Sequence, residues 1–157
     1  MARIPDATIC MSADLVFVDT NVLVYARDSR EPKKQQRAEE WLDHLWRHRS
    51  GRLSLQVLQE YYVSVTQKLK PGMERDAARR DVRDLWHWIP ASSSVALLEA
   101  AWTLQDQFRL SWWDALVLGS AQLAGCQTLL SEDFQHGQQF GEVRVSNPFR
   151  AAPKEER

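Results

Sequence analysis

Leu15-Val16-Phe17-Val18 is an unbroken apolar run, closed by the polar residues Asp19-Thr20-Asn21. So short a run reads as a strand buried on both faces, which delivers a carboxylate, a hydroxyl and an amide to its C-terminal end. The period then changes. Val22, Leu23, Tyr25 and Ala26 suit a short helix that dissolves at Asp28-Ser29-Arg30-Glu31-Pro32. From Pro32 onward, Ala38, Trp41, Leu42, Leu45 and Trp46 recur at three- and four-residue steps, the buried stripe of a helix that ends at Arg47-His48-Arg49-Ser50-Gly51. Leu53 and Leu55 on either side of Ser54 predict a second short strand. It passes into a helix over roughly Gln56 to Leu69, with Leu58, Tyr61, Tyr62 and Val65 inward and Pro71-Gly72 as its stop.

Glu74 to Ile89 reads as a further helix, with Arg75, Arg79, Arg80 and Arg83 on its polar surface and Val82, Leu85 and Trp86 within. Pro90-Ala91-Ser92-Ser93-Ser94 breaks it, and Ser93 to Val95 is expected to form a minimal edge strand. A helix over Ala96 to Phe108 follows. Another begins at Ser111, packs Trp112, Leu116, Leu118, Leu123 and Ala124, and stops at Gly125. Gln127-Thr128-Leu129-Leu130 is the next strand and runs into Ser131-Glu132-Asp133. Gly137 and Gly141 loosen the chain before a last strand, Val143 to Val145, closed by Pro148. Strands separated by helices predict an α/β fold with a central, mainly parallel sheet of four to five short strands flanked by helices.

At 157 residues the chain has the size of one domain. The pattern places that domain at residues 14–149, between an extension at 1–13 that is expected to be poorly ordered and a tail at 150–157. The pattern leaves both Met1 and Met11 open as starts. A hydrophobic fraction of 44% with 26% charged residues belongs to a soluble globular protein. No segment nears the ~18 apolar residues of a membrane span, so no membrane is expected as a partner. Cys10 and Cys126 have neither metal-ligand spacing nor a disulfide framework, which fits the cytoplasm.

The net charge of −1 excludes a strongly basic, non-specific nucleic-acid binder. The charge is nonetheless uneven. Arg27 to Arg83 holds 14 Lys or Arg against 9 Asp or Glu, and the remainder holds 6 against 12, as an acidic pocket beside a basic rim would. Seven Trp need deep core sites or a protein interface.

Four carboxylates fall near predicted strand ends: Asp19, Glu60, Asp114 and Asp133. Collected in one basin they would raise one another's pKa values unless a cation neutralised them. Oxygen ligands without His or Cys select a hard ion, Mg²⁺ or Mn²⁺. Each acid also has a plainer role open to it. Ser111 and Asp114 have the spacing of a capping box, Glu60 suits a solvated helix face, and Asp133 suits an Asx turn. Glu132 reads as rim, and His136 as a surface or turn histidine.

The chain resembles the PIN-domain ribonucleases, in particular the VapC-type toxins of type II toxin–antitoxin systems. The resemblance rests on the segments Leu15 to Ala26, Ser54 to Tyr62, Leu110 to Leu116 and Leu130 to Gly137, which recur in order over about Leu15 to Pro148. It implies that Asp19, Glu60, Asp114 and Asp133 are the catalytic and metal-binding acids, with Thr20, Asn21 and Ser131 as supporting polar residues. It further implies a homodimer and a cognate antitoxin with a DNA-binding domain, and it gives Tyr25, Trp41 and Trp46 an interface role as the alternative to a core role.

The activity so implied is a cytoplasmic endoribonuclease, dependent on Mg²⁺ or Mn²⁺, that hydrolyses RNA phosphodiesters and inhibits translation or growth. Asp19 and Asp114 would hold the principal ion, with Asp133 and Glu60 completing the site or recruiting a second. Lys68, Lys70, Arg75, Arg79, Arg80 and Arg83 are candidates to meet RNA phosphates, or else form a solvated face balanced by Glu74, Asp76, Asp81 and Asp84. Two other classes compete. One is a catalytically inactive PIN-fold module that binds protein or RNA. The other is a phosphoryl-transfer enzyme or phospho-receiver using Asp19, although the dehalogenase pattern wants Asp where Asn21 stands.

Overall fold

Val16, Phe17 and Val18 are all buried and form a strand, β1 (Val16–Val18), with hydrogen-bonded neighbours on both sides. The computed structural model describes residues 14–90 and 95–155, so the extension expected over 1–13 lies outside it. After β1 come α1 (Thr20–Tyr25), α2 (Pro32–Arg47), β2 (Gly51–Arg52) and α3 (Leu55–Val63), which continues as a π-helical turn over Ser64–Lys68. Then follow α4 (Arg75–Leu85) with a 3-10 turn at Trp86–Trp88, α5 (Ala96–Phe108), α6 (Trp112–Leu123), β3 (Thr128–Leu130), β4 (Gln139–Phe140) and β5 (Val143–Ser146). The sheet order is β2-β1-β3-β5-β4, parallel except for the β4–β5 pair. The fold is thus α/β, with a mostly parallel sheet of five short strands flanked by helices. Among the described residues no helix is long and apolar enough to cross a membrane.

Register decides what meets at the C-terminal edge. Val18 pairs with Leu130, and the Asp19 amide donates to the Leu130 carbonyl at 3.0 Å, so Asp19 emerges beside Ser131. Phe17 pairs with Arg52, which sends the chain through Ser54 into α3 and brings Glu60 to the same edge. Helix starts are fixed by side-chain acceptors. Asp19 caps α1, Ser54 accepts from the Val57 amide at 3.3 Å, and Ser111 accepts from the Asp114 amide at 3.2 Å. Arg27 reaches from the end of α1 to grip both oxygens of Asp81 on α4, and Asp81 also accepts from the Tyr61 hydroxyl.

The structure departs from the sequence pattern at several points. The second strand is Gly51–Arg52, not the segment around Ser54: Leu53 is buried after it, Ser54 caps α3, and Leu55 is 62% exposed on the first turn of α3. Trp86 points outward while Trp88 is buried, because the helix tightens there into a 3-10 turn and rotates the inward position two residues on. Trp46 and Leu123, expected inside, are about half exposed. β4 has too few residues to produce an alternation and was not expected. Of the expected edge strand at Ser93 to Val95, only Val95 is described, and it lies in a turn.

Gly51 shows why the second strand starts where it does. A Cβ there would stand 2.6 Å from ring atoms of buried Trp88, so the indole packs directly over the backbone. Gly51→Ala should therefore force the ring to shift and cost about 1–3 kcal/mol, read as a lower urea midpoint with an unchanged slope.

Candidate active site

Asp19 is a charged group that the fold buries at the end of a fully apolar strand. Its Oδ1 accepts from the Thr20 amide at 2.8 Å, and its Oδ2 accepts from the Ser131 hydroxyl at 2.7 Å and the Asn21 amide at 3.3 Å. Asn21 is the hub. The same Nδ2 donates to Asp133 Oδ2 at 3.0 Å and to Ser131 Oγ at 3.3 Å, while its Oδ1 accepts from the Glu132 amide at 3.2 Å. Thr20 donates its hydroxyl to Glu60 Oε2 at 2.8 Å, and Gln56 holds the other Glu60 oxygen at 2.9 Å. Asp19, Glu60 and Asp133 are therefore tied into one polar network through Thr20, Asn21 and Ser131.

Asp114 stands differently. It sits half-buried in the first turn of α6, where its backbone amide, not its carboxylate, makes the capping bond to Ser111. No hydrogen bond among the described residues joins it to the other three acids. The capping bond therefore does not use the Asp114 carboxylate.

Burial raises the Asp19 carboxyl from 3.8 to about 6, with Asp133 and Glu60 adding repulsion and the Ser131 and Thr20 bonds pulling the other way. An all-oxygen set around a carboxylate that is costly to ionise fits a hard divalent cation, whose charge would reverse that cost. Among the described residues, however, no three Asp, Glu, His or Cys side chains are grouped tightly enough to hold a metal ion as they stand. The hydroxyl and amide bridges space the carboxylates apart.

The other sequence candidates are placed as follows. Glu132 turns away and forms an ion pair with Lys34 of α2. His136 accepts from the Asn147 amide through Nδ1 at 3.0 Å, a turn role. Arg75, Arg79, Arg80 and Arg83 are exposed along α4, with Arg79 bonded to Asp76 at 3.1 Å. Trp41 is buried and donates to the Ala151 carbonyl at 2.8 Å, which is a core role. Lys34 escaped the sequence reading. Its ammonium lies 4.5 Å from the Tyr25 ring centroid and 5.1 Å from that of Phe149, and by holding Glu132 it steadies the loop that carries Asp133. A partner 98 positions away leaves no local signal in sequence.

The raised Asp19 pKa has a measurable sign. The folded state binds a proton that the unfolded state releases, so ionisation costs stability progressively from about pH 4 to 6 and fully above. In EDTA, Asp19→Asn should melt above wild type at pH 7.5, by at most about 3 kcal/mol, and match it near pH 4.

Comparison with known proteins adds a family. The family described as PIN domain matches residues 16–138. A search of curated proteins finds no match. Among solved structures, a chain of a toxin-antitoxin complex from Klebsiella pneumoniae superimposes with a TM-score of 0.62 at 19% identity, covering 85% of this chain and 97% of that one. At that identity the likeness speaks for the fold.

Proposed function

The chain belongs to the PIN-domain family, and from that premise we propose that it is a divalent-metal-dependent endoribonuclease, the toxin of a toxin–antitoxin pair that acts in the cytoplasm to inhibit translation or growth. The observation that carries this reading is the buried Asp19 carboxylate, netted with Glu60 and Asp133 by Thr20, Asn21 and Ser131. A buried carboxylate with two further carboxylates beside it costs stability until a proton or a cation neutralises it. Asp19 and Asp114 would hold Mg²⁺ or Mn²⁺, with Glu60 and Asp133 completing the set. An ion held there supplies Lewis acidity toward an RNA phosphate and toward the attacking water.

The chain's own groups supply orientation. Ser131 and the Thr20 amide fix the Asp19 carboxylate, and the Asn21 amide keeps Asp133 aligned with it. Glu60, exposed and held at both oxygens by Thr20 and Gln56, would orient a water by hydrogen bonding, with no His or Lys base required. Lys68, Lys70 and the α4 arginines would meet phosphates outside the pocket, adding affinity and register without sequence preference.

A homodimer and an antitoxin carrying a DNA-binding domain belong to the same proposal. Supporting it, Leu55, Leu58, Tyr62, Val82, Trp86 and Ile89 line an apolar groove of about 820 Å³, with Arg79 and Arg83 at its rim. Trp86 is 61% exposed there, an apolar cost that a partner surface would remove. The competing reading, a PIN-fold binding module without catalysis, draws on the spacing of the acids.

Asp114→Asn separates the two. The cap is made by the Ser111 hydroxyl and the backbone, so the variant should lose no more than about 1 kcal/mol, chiefly helix-dipole attraction. It should at the same time lose most single-turnover RNA cleavage in Mn²⁺, and EDTA should silence wild type. Normal cleavage by Asp114→Asn would remove this acid from the site, and an EDTA-insensitive wild type would end the metal-dependent reading.

A further inference from the structure

The end of α2 carries Trp46-Arg47-His48-Arg49-Ser50-Gly51-Arg52, a basic and aromatic run that the proposed chemistry leaves unused. Together with His87, Trp88, Ile89 and Pro90, residues of this run line an open cavity of about 530 Å³, within the size range of ligand sites. Two indoles form one wall. Trp88 is buried and packed over Gly51, while Trp46 is 49% exposed and lies with its ring centroid 5.6 Å from that of Trp88.

Arg49, Arg52 and His87 supply the polar side. Among the described residues no carboxylate forms an ion pair with any of them. Arg52 is held in place by Nη1, which donates to the Gly51 carbonyl at 2.8 Å and the Arg49 carbonyl at 3.2 Å, leaving its remaining donors for a ligand. Arg49 has a φ of 53°, the left-handed conformation that glycine takes without strain just past a helix end. None of the four acids and none of the α4 arginines lines this cavity.

Two guanidiniums without carboxylate partners call for an anion, and their planar forks suit phosphate oxygens. Trp46, half exposed and lining the cavity, offers a ring on which a flat aromatic group can stack. A nucleotide carries both, and only a single strand can present its base to a protein face. We propose that this cavity binds one nucleotide unit of single-stranded RNA, with the phosphate at Arg49 and Arg52 and the base stacked on Trp46. The site goes beyond the nuclease reading, since it requires neither metal nor cleavage.

The test is anisotropy of a labelled mixed-sequence hexaribonucleotide titrated with the full-length protein in EDTA at several salt concentrations. Trp46→Ala and Arg49→Gln should each weaken binding by about tenfold, and Arg49→Gln should flatten the plot of log affinity against log salt by about 0.7. Arg49→Gly guards against misfolding: it relieves the backbone strain and should melt at or above wild type, yet bind as weakly as Arg49→Gln. Weakened binding by these variants supports the site whether or not the protein cleaves RNA. Unchanged binding overturns it even if the protein proves an active nuclease. Competition by hexaglutamate as strong as that by unlabelled hexamer would overturn the RNA assignment in favour of an acidic peptide, and equal competition by duplex RNA would overturn the stacking.

Discussion

A carboxylate forced out of water by an apolar strand is the constraint on which the C-terminal edge of this sheet depends. β1 can be Val-Phe-Val only because it is buried on both faces, and the residue that follows, Asp19, is buried with it. Asp19 then needs acceptor satisfaction from every side, and the fold supplies it from three sources: the first amide of α1, the Asn21 side chain, and the Ser131 hydroxyl delivered by the β1–β3 register. Those bonds do not remove the cost of its charge, as its raised pKa records. The same network fixes Asp133 and, through Thr20, Glu60. One residue thus serves as strand end, helix cap and electrostatic focus.

Charge is distributed along the sheet in the way its parallel pairing dictates. Asp19 follows β1, whereas Arg49 precedes β2, and the pairing of Val16 with Gly51 sets these two residues toward opposite ends of the strands. The near-zero net charge of −1 does not reveal this separation. An RNA strand near the acidic edge would be repelled without a cation, while basic side chains elsewhere could retain it.

Long periodic segments were legible in the sequence. α2 carries three- and four-residue spacing from Pro32 onward, α5 was expected over Ala96 to Phe108, α6 is bounded by Ser111 and Gly125, and the structure follows those bounds closely. The apolar run at Val16 to Val18 was equally plain. β2 was displaced because a two-residue strand has no period to read, and its position is set by the packing of Trp88 over Gly51, 37 positions away. Trp86, expected inside, is exposed and Trp88 is buried because a 3-10 turn breaks the 3.6-residue pattern. Asp19, Glu60 and Asp133, which the structure ties together, could be named from local motifs, but Lys34 could not, since its ion pair with Glu132 joins residues far apart in the chain. The spacing of the acids by Asn21 and Thr20 likewise depends on side-chain geometry that no motif encodes.

The central claim is that the Asp19 network is a cation site. Isothermal calorimetry of Mn²⁺ binding near pH 6, repeated in two buffers of different ionisation enthalpy, tests it without any substrate. The account predicts saturable binding with release of a proton fraction, because the cation displaces the proton that Asp19 holds at that pH, and loss of both signals in Asp19→Asn. Mn²⁺ binding of equal strength in Asp19→Asn, or no binding by the wild-type chain, would contradict it.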